Sequence, residues 1–207
     1  WEADKHAVAH GVATPDQWRG FARVSAAAAR LNRLVTDTFW KANVPVISLQ
    51  PSAAARADAG EIIDWHTTPL REALDHGLVP LIFGDVAFDQ AWGGTILSTE
   101  RLFVYLAERL APARILLFGN APGVLDDQQR VIPEITPTTY PQIAPLLAGA
   151  ESTDVTGGMA DKVQRMIALV ERMPHSRVWI LTGREPGHLK RALASPEATP
   201  GTLIHQS

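Results

Sequence analysis

No cysteine occurs in the 207 residues. That excludes a disulfide framework, a thiolate-held zinc site and thiol catalysis, and it fits a reducing compartment such as the cytoplasm. No apolar run reaches the roughly 18 residues a membrane-spanning helix needs, so no membrane partner is expected. Basic residues are not in excess: Lys plus Arg is 19 against 22 for Asp plus Glu, a net charge of −3. A nucleic-acid partner is therefore not expected. The spacing G-x-x-x-x-G-K-[ST] is absent, which excludes a Walker A loop. So is G-x-S-x-G, which leaves a serine hydrolase without support. Internal repeats and low-complexity tracts are also missing.

What is present suits a globular domain. Hydrophobic residues make up 46% and charged residues 20%, enough for a core and too few charges for a disordered chain. At about 150 residues per domain the length predicts one domain over 1–207. The chain opens Trp-Glu-Ala-Asp-Lys-His. It shows neither an initiator Met nor a signal peptide, and its true N-terminus is expected upstream.

Helical and strand patterns alternate. Thr14-Pro15-Asp16-Gln17 forms a capping box with Pro at the first helical position. Trp18, Phe21, Val24, Ala28, Leu31, Val35 and Phe39 then predict one buried helical stripe. Val44–Leu49 reads as a strand and residues 52–60 as a loop or a frayed turn. Thr68-Pro69 starts a helix that Gly77 ends. Leu78–Phe83 and Arg114–Phe118 are apolar runs expected of strands covered on both faces. Ser98 caps a helix with Leu102, Leu106 and Leu110 inward. Residues 120–135 read as turns with a hairpin. Helices are expected at Tyr140–Leu147, from Gly158 and at Leu189–Leu193, and strands at Val178–Leu181 and Thr202–Ile204. The alternation predicts an α/β fold with a mainly parallel sheet and helices on both faces. Ligands then bind at the carboxyl ends of strands, in the loops after Phe83, Phe118 and Leu181.

Three stretches can carry chemistry there. Gly84-Asp85 follows a strand and leads into Val86–Ile96, where Trp92-Gly93-Gly94 suggests a hairpin turn with Phe88 and Trp92 as a lid. A plain Gly-Asp turn is the alternative. Ser98-Thr99-Glu100 opens a helix whose free N–H groups suit an anion, although a first-turn carboxylate also serves helix stability alone. Asp154-Val155-Thr156-Gly157-Gly158-Met159 places two glycines before a helix, exposing N–H groups to phosphate. Lys162 follows about one helical turn after Gly158. A glycine-initiated helix with a surface lysine is the alternative. His6 and His10 share a helical spacing, but no carboxylate joins them, and they read as surface residues. The remaining histidines carry no assignment.

Taken in order, these motifs resemble the amino acid kinase superfamily and, within it, the isopentenyl phosphate kinases. Four stretches carry the likeness. Gly84-Asp85-Val86 with Asp89, Gly94 and Ile96-Leu97-Ser98 resembles the family's Gly-Asp-Val segment leading to Ile-Ser-Gly-Asp. Asn120–Val124 stands where the family has Asp-Val-Asp-Gly-Val. Asp154–Met159 with Lys162 is similar to Asp-Val-Thr-Gly-Gly-Met…Lys. Pro186-Gly187…Leu189…Ala192-Leu193 and Gly201–Ile204 resemble the C-terminal end. The family's Lys-x-Gly-Gly-Ser strand and its Gly-rich loop with a phosphate-binding histidine have no counterpart in the chain, and neither His6 nor His10 takes that role. Thr99 stands for the usual Gly, Glu100 for the usual Asp, and Asn120, Ala121 and Pro122 for Asp-Val-Asp.

The resemblance implies a three-layer α/β/α sandwich and an ATP- and Mg²⁺-dependent kinase that phosphorylates isopentenyl phosphate. It implies catalytic roles for Lys162 and Glu100. Asn120, Gly157, Gly158 and Lys162 would hold the nucleotide, and Gly84, Asp85, Gly94 and Thr99 the acceptor. The prenyl tail would lie in an apolar slot between the first helix and the Val86–Ile96 hairpin. A cytoplasmic homodimer is implied, with the Trp18–Phe39 helix serving its interface or the core. Rival readings are a kinase of the same superfamily acting on a phosphonate such as fosfomycin or on an amino-acid carboxylate, and a non-catalytic nucleotide- or anion-binding member.

Overall fold

A computed structural model describes residues 11–148, 158–195 and 199–206. The chain divides into two compact units, Trp1–Tyr105 and Leu106–Ser207. The α/β class is borne out. Among the described strand pairs four are parallel and three antiparallel. No described helix is long and apolar enough to cross a membrane.

The first unit opens with helix α1 (Pro15–Lys41). Its capping box forms as the sequence predicts: Gln17 N–H donates to Thr14 Oγ1 at 3.3 Å, and Thr14 N–H donates to Gln17 Oε1 at 3.1 Å. The predicted stripe holds only in part. Phe21 is buried with Gly20 and Thr36, but Leu31 is 61% exposed. Steps of three and four drift around a helix of 3.6 residues per turn, so a stripe extended over the 22 residues Trp18–Phe39 leaves the buried face before its end.

Next come β1 (Val46–Ser48), a 3₁₀ turn at Pro51–Ala53, β2 (Ala55–Asp58) and β3 (Glu61–Trp65). The expected loop at 52–60 is thus largely a strand and its hairpin turn. Ala55 and Ala57 alternate with exposed Arg56 and Asp58. Alanine gives a weak strand signal, and burial of this one face decided the outcome. Helix α2 (Thr68–Asp75) is followed by β4 (Val79–Leu81), paired in parallel with β1. The strand is shorter than Leu78–Phe83, and Val79 is exposed rather than covered.

β5 (Asp85–Asp89) and β6 (Gly93–Leu97) form an antiparallel hairpin, and β5 pairs in parallel with β2, giving the order β3-β2-β5-β6. The hairpin turn lies at Gln90–Trp92, and the two glycines belong to the strand. Asp89 makes the turn, accepting from the N–H groups of Ala91 at 3.0 Å and Trp92 at 2.9 Å. Gly93 has φ +75° against the Val12 carbonyl, and a Cβ on Gly94 would lie 2.8 Å from the Phe21 ring. These glycines therefore serve close packing under α1. Phe88 and Trp92 form no lid. Phe88 packs on Trp18 and Phe21, and Trp92 lies against Gly60.

Helix α3 (Thr99–Leu110) begins in the first unit, with Ser98 Oγ accepting from Arg101 N–H at 3.3 Å as the capping role predicts. Leu102 and Leu106 are buried and Leu110 half-buried. The second unit holds β7 (Arg114–Gly119), β8 (Glu134–Ile135), α4 (Tyr140–Ala148), α5 (Gly158–Arg172), β9 (Arg177–Thr182), α6 (His188–Ala194) and β10 (Thr202–Ile204), with strand order β7-β9-β10-β8. Val178–Thr182 are all buried, as a strand covered on both faces requires. Helix α6 brings Ala192 onto Trp179 and Leu181. Arg114 donates to the Ala192 and Leu193 carbonyls at 3.0 and 3.3 Å, satisfying the open C-terminus of that short helix. The segment after β7 turns at Asp126, which accepts from the N–H groups of Gln128 and Arg130, and Leu125 bridges to Val131. Thr202 Oγ1 then accepts from Val124 N–H at 2.8 Å and donates to the Ile132 carbonyl at 2.7 Å, fastening this hairpin to β10.

Asp89 also accepts from Ala59 N–H at 3.1 Å and Gly60 N–H at 2.7 Å. Burial alone raises its pKa, but the four backbone donors together outweigh that and hold it below the ordinary 3.8. A carboxylate with a lowered folded pKa contributes stability above its unfolded pKa and loses it as pH falls through the folded one. Asp89→Ala is expected to cost about 3 kcal/mol at neutral pH, leaving buried donors unpaired. Asp89→Asn is expected to flatten the acid limb below about pH 4. Urea unfolding across pH checks both.

Candidate active site

In the first unit the acceptor-side residues fall into two groups. Gly84 lies at the start of α3: a Cβ there would sit 3.3 Å from the Leu97 carbonyl and 3.6 Å from Thr99 Oγ1. The structure thus brings Gly84 and Thr99 together at a helix N-terminus, with Glu100 half-buried beside them. Asp85 opens β5 and is almost wholly buried. Its carboxylate accepts from Val86 N–H at 2.9 Å, Gln50 Nε2 at 3.1 Å and Ser52 N–H at 3.3 Å. Asp85 is therefore a strand residue engaged with the chain's own 50–52 turn, rather than part of an open turn.

Gly94 belongs elsewhere, on the apolar face of the hairpin. Strand alternation puts Val86, Phe88, Gly94 and Ile96 on one face. Val12, Phe21 and Val86 make a buried cluster there, with Trp18, Val24 and Ile96 half-buried around it. Phe88 remains 56% exposed. The hairpin thus joins a polar end at Gly84–Thr99 to an apolar wall.

In the second unit the carboxyl ends of β7 and β9 meet, with Gly183 N–H donating to the Gly119 carbonyl at 2.9 Å. Asn120 follows β7 directly, and its Oδ1 accepts from Arg184 Nε at 3.3 Å. Gly158 begins α5 with φ +65°. Lys162 is half-buried on the helix, next to an Asp161–Arg165 pair at 2.8 Å. Gly157 lies outside the described residues.

Sequence reasoning missed Gln50, Arg101, Arg184 and His188. Arg184 was signalled only by its position in the loop after β9. His188 is buried with both ring nitrogens facing oxygens, Nδ1 at 3.3 Å from the Thr182 carbonyl and Nε2 at 2.7 Å from Glu185 Oε2. It holds the 182–188 loop from inside. Arg101 donates to the Gly60 carbonyl at 2.7 Å and so ties α3 to the β2–β3 turn. Neither role has a local signature, because each partner is distant in sequence or set by a loop's shape.

Comparison with known proteins adds to this geometry. The profile of the amino acid kinase family matches residues 2–181. The chain belongs to the amino acid kinase family. An isopentenyl phosphate kinase of Haloferax volcanii is 38% identical over 167 residues, which is 79% of this chain and 66% of that protein. One of Methanothermobacter thermautotrophicus is 32% identical over 192 residues, 89% of this chain and 70% of that protein. The chain thus spans about two thirds of the length of the curated relatives it matches. A solved isopentenyl phosphate kinase structure superposes with a TM-score of 0.81 at 26% identity, covering 98% of this chain and 78% of that one. The α/β fold expected from the motifs is thus the amino acid kinase fold.

Within this member of the family, the loop after β9 depends on one imidazole. His188→Ala is expected to lower stability by about 1–2 kcal/mol by stripping the buried Thr182 carbonyl of its donor. Urea denaturation monitored by far-UV circular dichroism measures it.

Proposed function

We propose that the protein carrying this chain is an ATP-dependent kinase that phosphorylates isopentenyl phosphate to the diphosphate, releasing ADP. The observation that carries the reading is the β5–β6 hairpin. Its polar end lies at the N-terminus of α3, where backbone N–H groups suit a phosphate, and its apolar wall suits a hydrocarbon tail. An amino-acid acceptor needs fixed charges for its ammonium and carboxylate. The buried charges of the hairpin, Asp85 and Asp89, are both taken up by the chain's own donors. The names of the matched relatives favour the same acceptor.

The residues take these roles. Gly84 and Thr99 offer backbone donors to the acceptor phosphate, and Glu100 orients the groups around the transferring phosphoryl. Gly157, Gly158 and Lys162 hold the ATP phosphates, and Asn120 with Arg184 borders the nucleotide. An oxygen of the acceptor phosphate attacks the γ-phosphorus, and the bond from that phosphorus to the β–γ bridging oxygen breaks. A phosphate monoester has a second pKa of about 6, so it is already a competent nucleophile near neutral pH and needs no general base. Catalysis then rests on positioning and charge neutralisation, which is the task of Lys162. The described residues hold no cluster of three or more His, Asp or Glu able to cage a cation. Magnesium bound together with ATP would supply further charge neutralisation beside Lys162. We read the two units as parts of one kinase domain, working in the cytoplasm as a homodimer. Leu31 and Leu34, 61% and 66% exposed on one side of α1, supply an apolar stripe for that interface.

Three outcomes are expected of the full-length protein. Among isopentenyl phosphate, fosfomycin, glutamate and acetylglutamate, the first gives the highest kcat/KM with ATP and Mg²⁺, and a different best acceptor rejects the reading. Lys162→Ala lowers kcat/KM by about 10²-fold or more in the same assay. Leu34→Glu shifts the mass found by light scattering from dimer to monomer without unfolding the chain.

A further inference from the structure

Gln50 leaves the carboxyl end of β1 and reaches two elements at once. Its Nε2 lies 3.1 Å from Asp85 Oδ2 on β5, 3.3 Å from Ser25 Oγ on α1 and 2.9 Å from Ser52 Oγ. One primary amide offers two hydrogens, so these three acceptors share the donor and are drawn toward one point. Two residues earlier Ser48 makes a similar link, accepting from Asn32 Nδ2 of α1 at 2.6 Å. Residues 48 and 50 share one side of an extended chain. Ser25 and Asn32 stand about two turns apart on α1. The exit of β1 is thus laced to α1 at two points, and Gln50 carries the lacing on to β5.

The position of this tie matters. It joins α1 to the first residue of β5: Ser25 follows Val24, and Asp85 precedes Val86, its own side chain on the opposite face of the strand. Val24 and Val86 belong to the two faces, α1 and hairpin, that meet in the apolar cluster. Asp85 itself is an unsuitable phosphate ligand, because a carboxylate repels a phosphate dianion and its oxygens are already occupied by Gln50, Ser52 and Val86.

We infer that Gln50 is a specificity-determining positioning residue. Through Asp85 and Ser25 it sets the separation between the α1 wall and the β5–β6 wall, and so the size of acceptor tail the site takes. Asp85 acts through Gln50 and touches no substrate. This rests on the prenyl phosphate reading above.

The test uses the full-length protein with ATP and two acceptors, isopentenyl phosphate and the ten-carbon geranyl phosphate. Gln50→Met keeps the length of the side chain and removes the donor. It is expected to raise KM for isopentenyl phosphate about threefold to tenfold, the range one net hydrogen bond supports. The kcat/KM ratio should move toward geranyl phosphate while KM for ATP stays unchanged; Tm falls in Gln50→Met because buried Asp85 loses a donor, and Ser25→Ala, which leaves that donor in place, separates the change in ratio from the change in stability. Ser25→Ala should move the ratio in the same direction, and the double variant should go no further than the larger single change, since both cut one link. An unchanged ratio in both single variants, or independent addition in the double, overturns the inference while the activity stands. If the wild-type protein phosphorylates neither prenyl phosphate, the activity reading fails and this inference falls with it.

Discussion

Two buried carboxylates, one at each end of β5, organise the first unit. A buried charge without donors is too costly to keep, so each aspartate gathers backbone and amide N–H groups from turns around it. Asp89 takes four, from the β2–β3 turn and the β5–β6 turn. Asp85 takes those of Val86, Ser52 and Gln50. Three turns that share no local sequence are thereby held to one strand. Because side chains alternate along a strand, pointing both aspartates to one face sends Val86 and Phe88 to the other. The polar bracket and the apolar wall are two consequences of one register.

The second unit reaches the same end with side chains that reach distant backbone groups. Arg114 supplies donors to the terminal carbonyls of α6, Thr202 joins both arms of one hairpin to β10, and His188 fills the loop after β9. Each satisfies backbone groups that a short element cannot satisfy internally. These ties shape the ends of short elements, and Asn120 and Arg184 project from the carboxyl ends of β7 and β9. A family whose chemistry is positioning and charge neutralisation requires such fixed loop backbones.

The acceptor class proposed for this chain rests on where charge is already spent. An enzyme pocket for a zwitterion must leave charged groups available, whereas the hairpin here commits its aspartates internally and presents hydrocarbon. Burying five carbons at about 0.8 kcal/mol each gives a tail enough binding energy to separate a prenyl phosphate from bare phosphate.

Much was legible in the residues alone. The Thr14–Gln17 box, the Ser98 cap, the helix opening at Gly158 and the apolar run of β9 depend on neighbours within a few positions, and each formed where expected. The Gly-Asp-Val and Gly-Gly-Met segments indicated the family because each is a run of particular residues at short spacing, readable without the fold. What failed was of another kind. Leu31 is exposed where the stripe predicts burial, residues 52–60 hide a strand whose buried face is two alanines, and Gly93-Gly94 lie in a strand beneath α1 rather than in the turn. The donors that the Asp85 carboxylate meets, Gln50 and Ser52, stand more than thirty positions away. Local chemistry decides caps, turns and periodicity, because their partners lie within one turn of chain. Which face of a long helix is covered, which glycine faces a ring and which donor reaches a buried carboxylate depend on residues dozens of positions away, and only the tertiary structure brings those together.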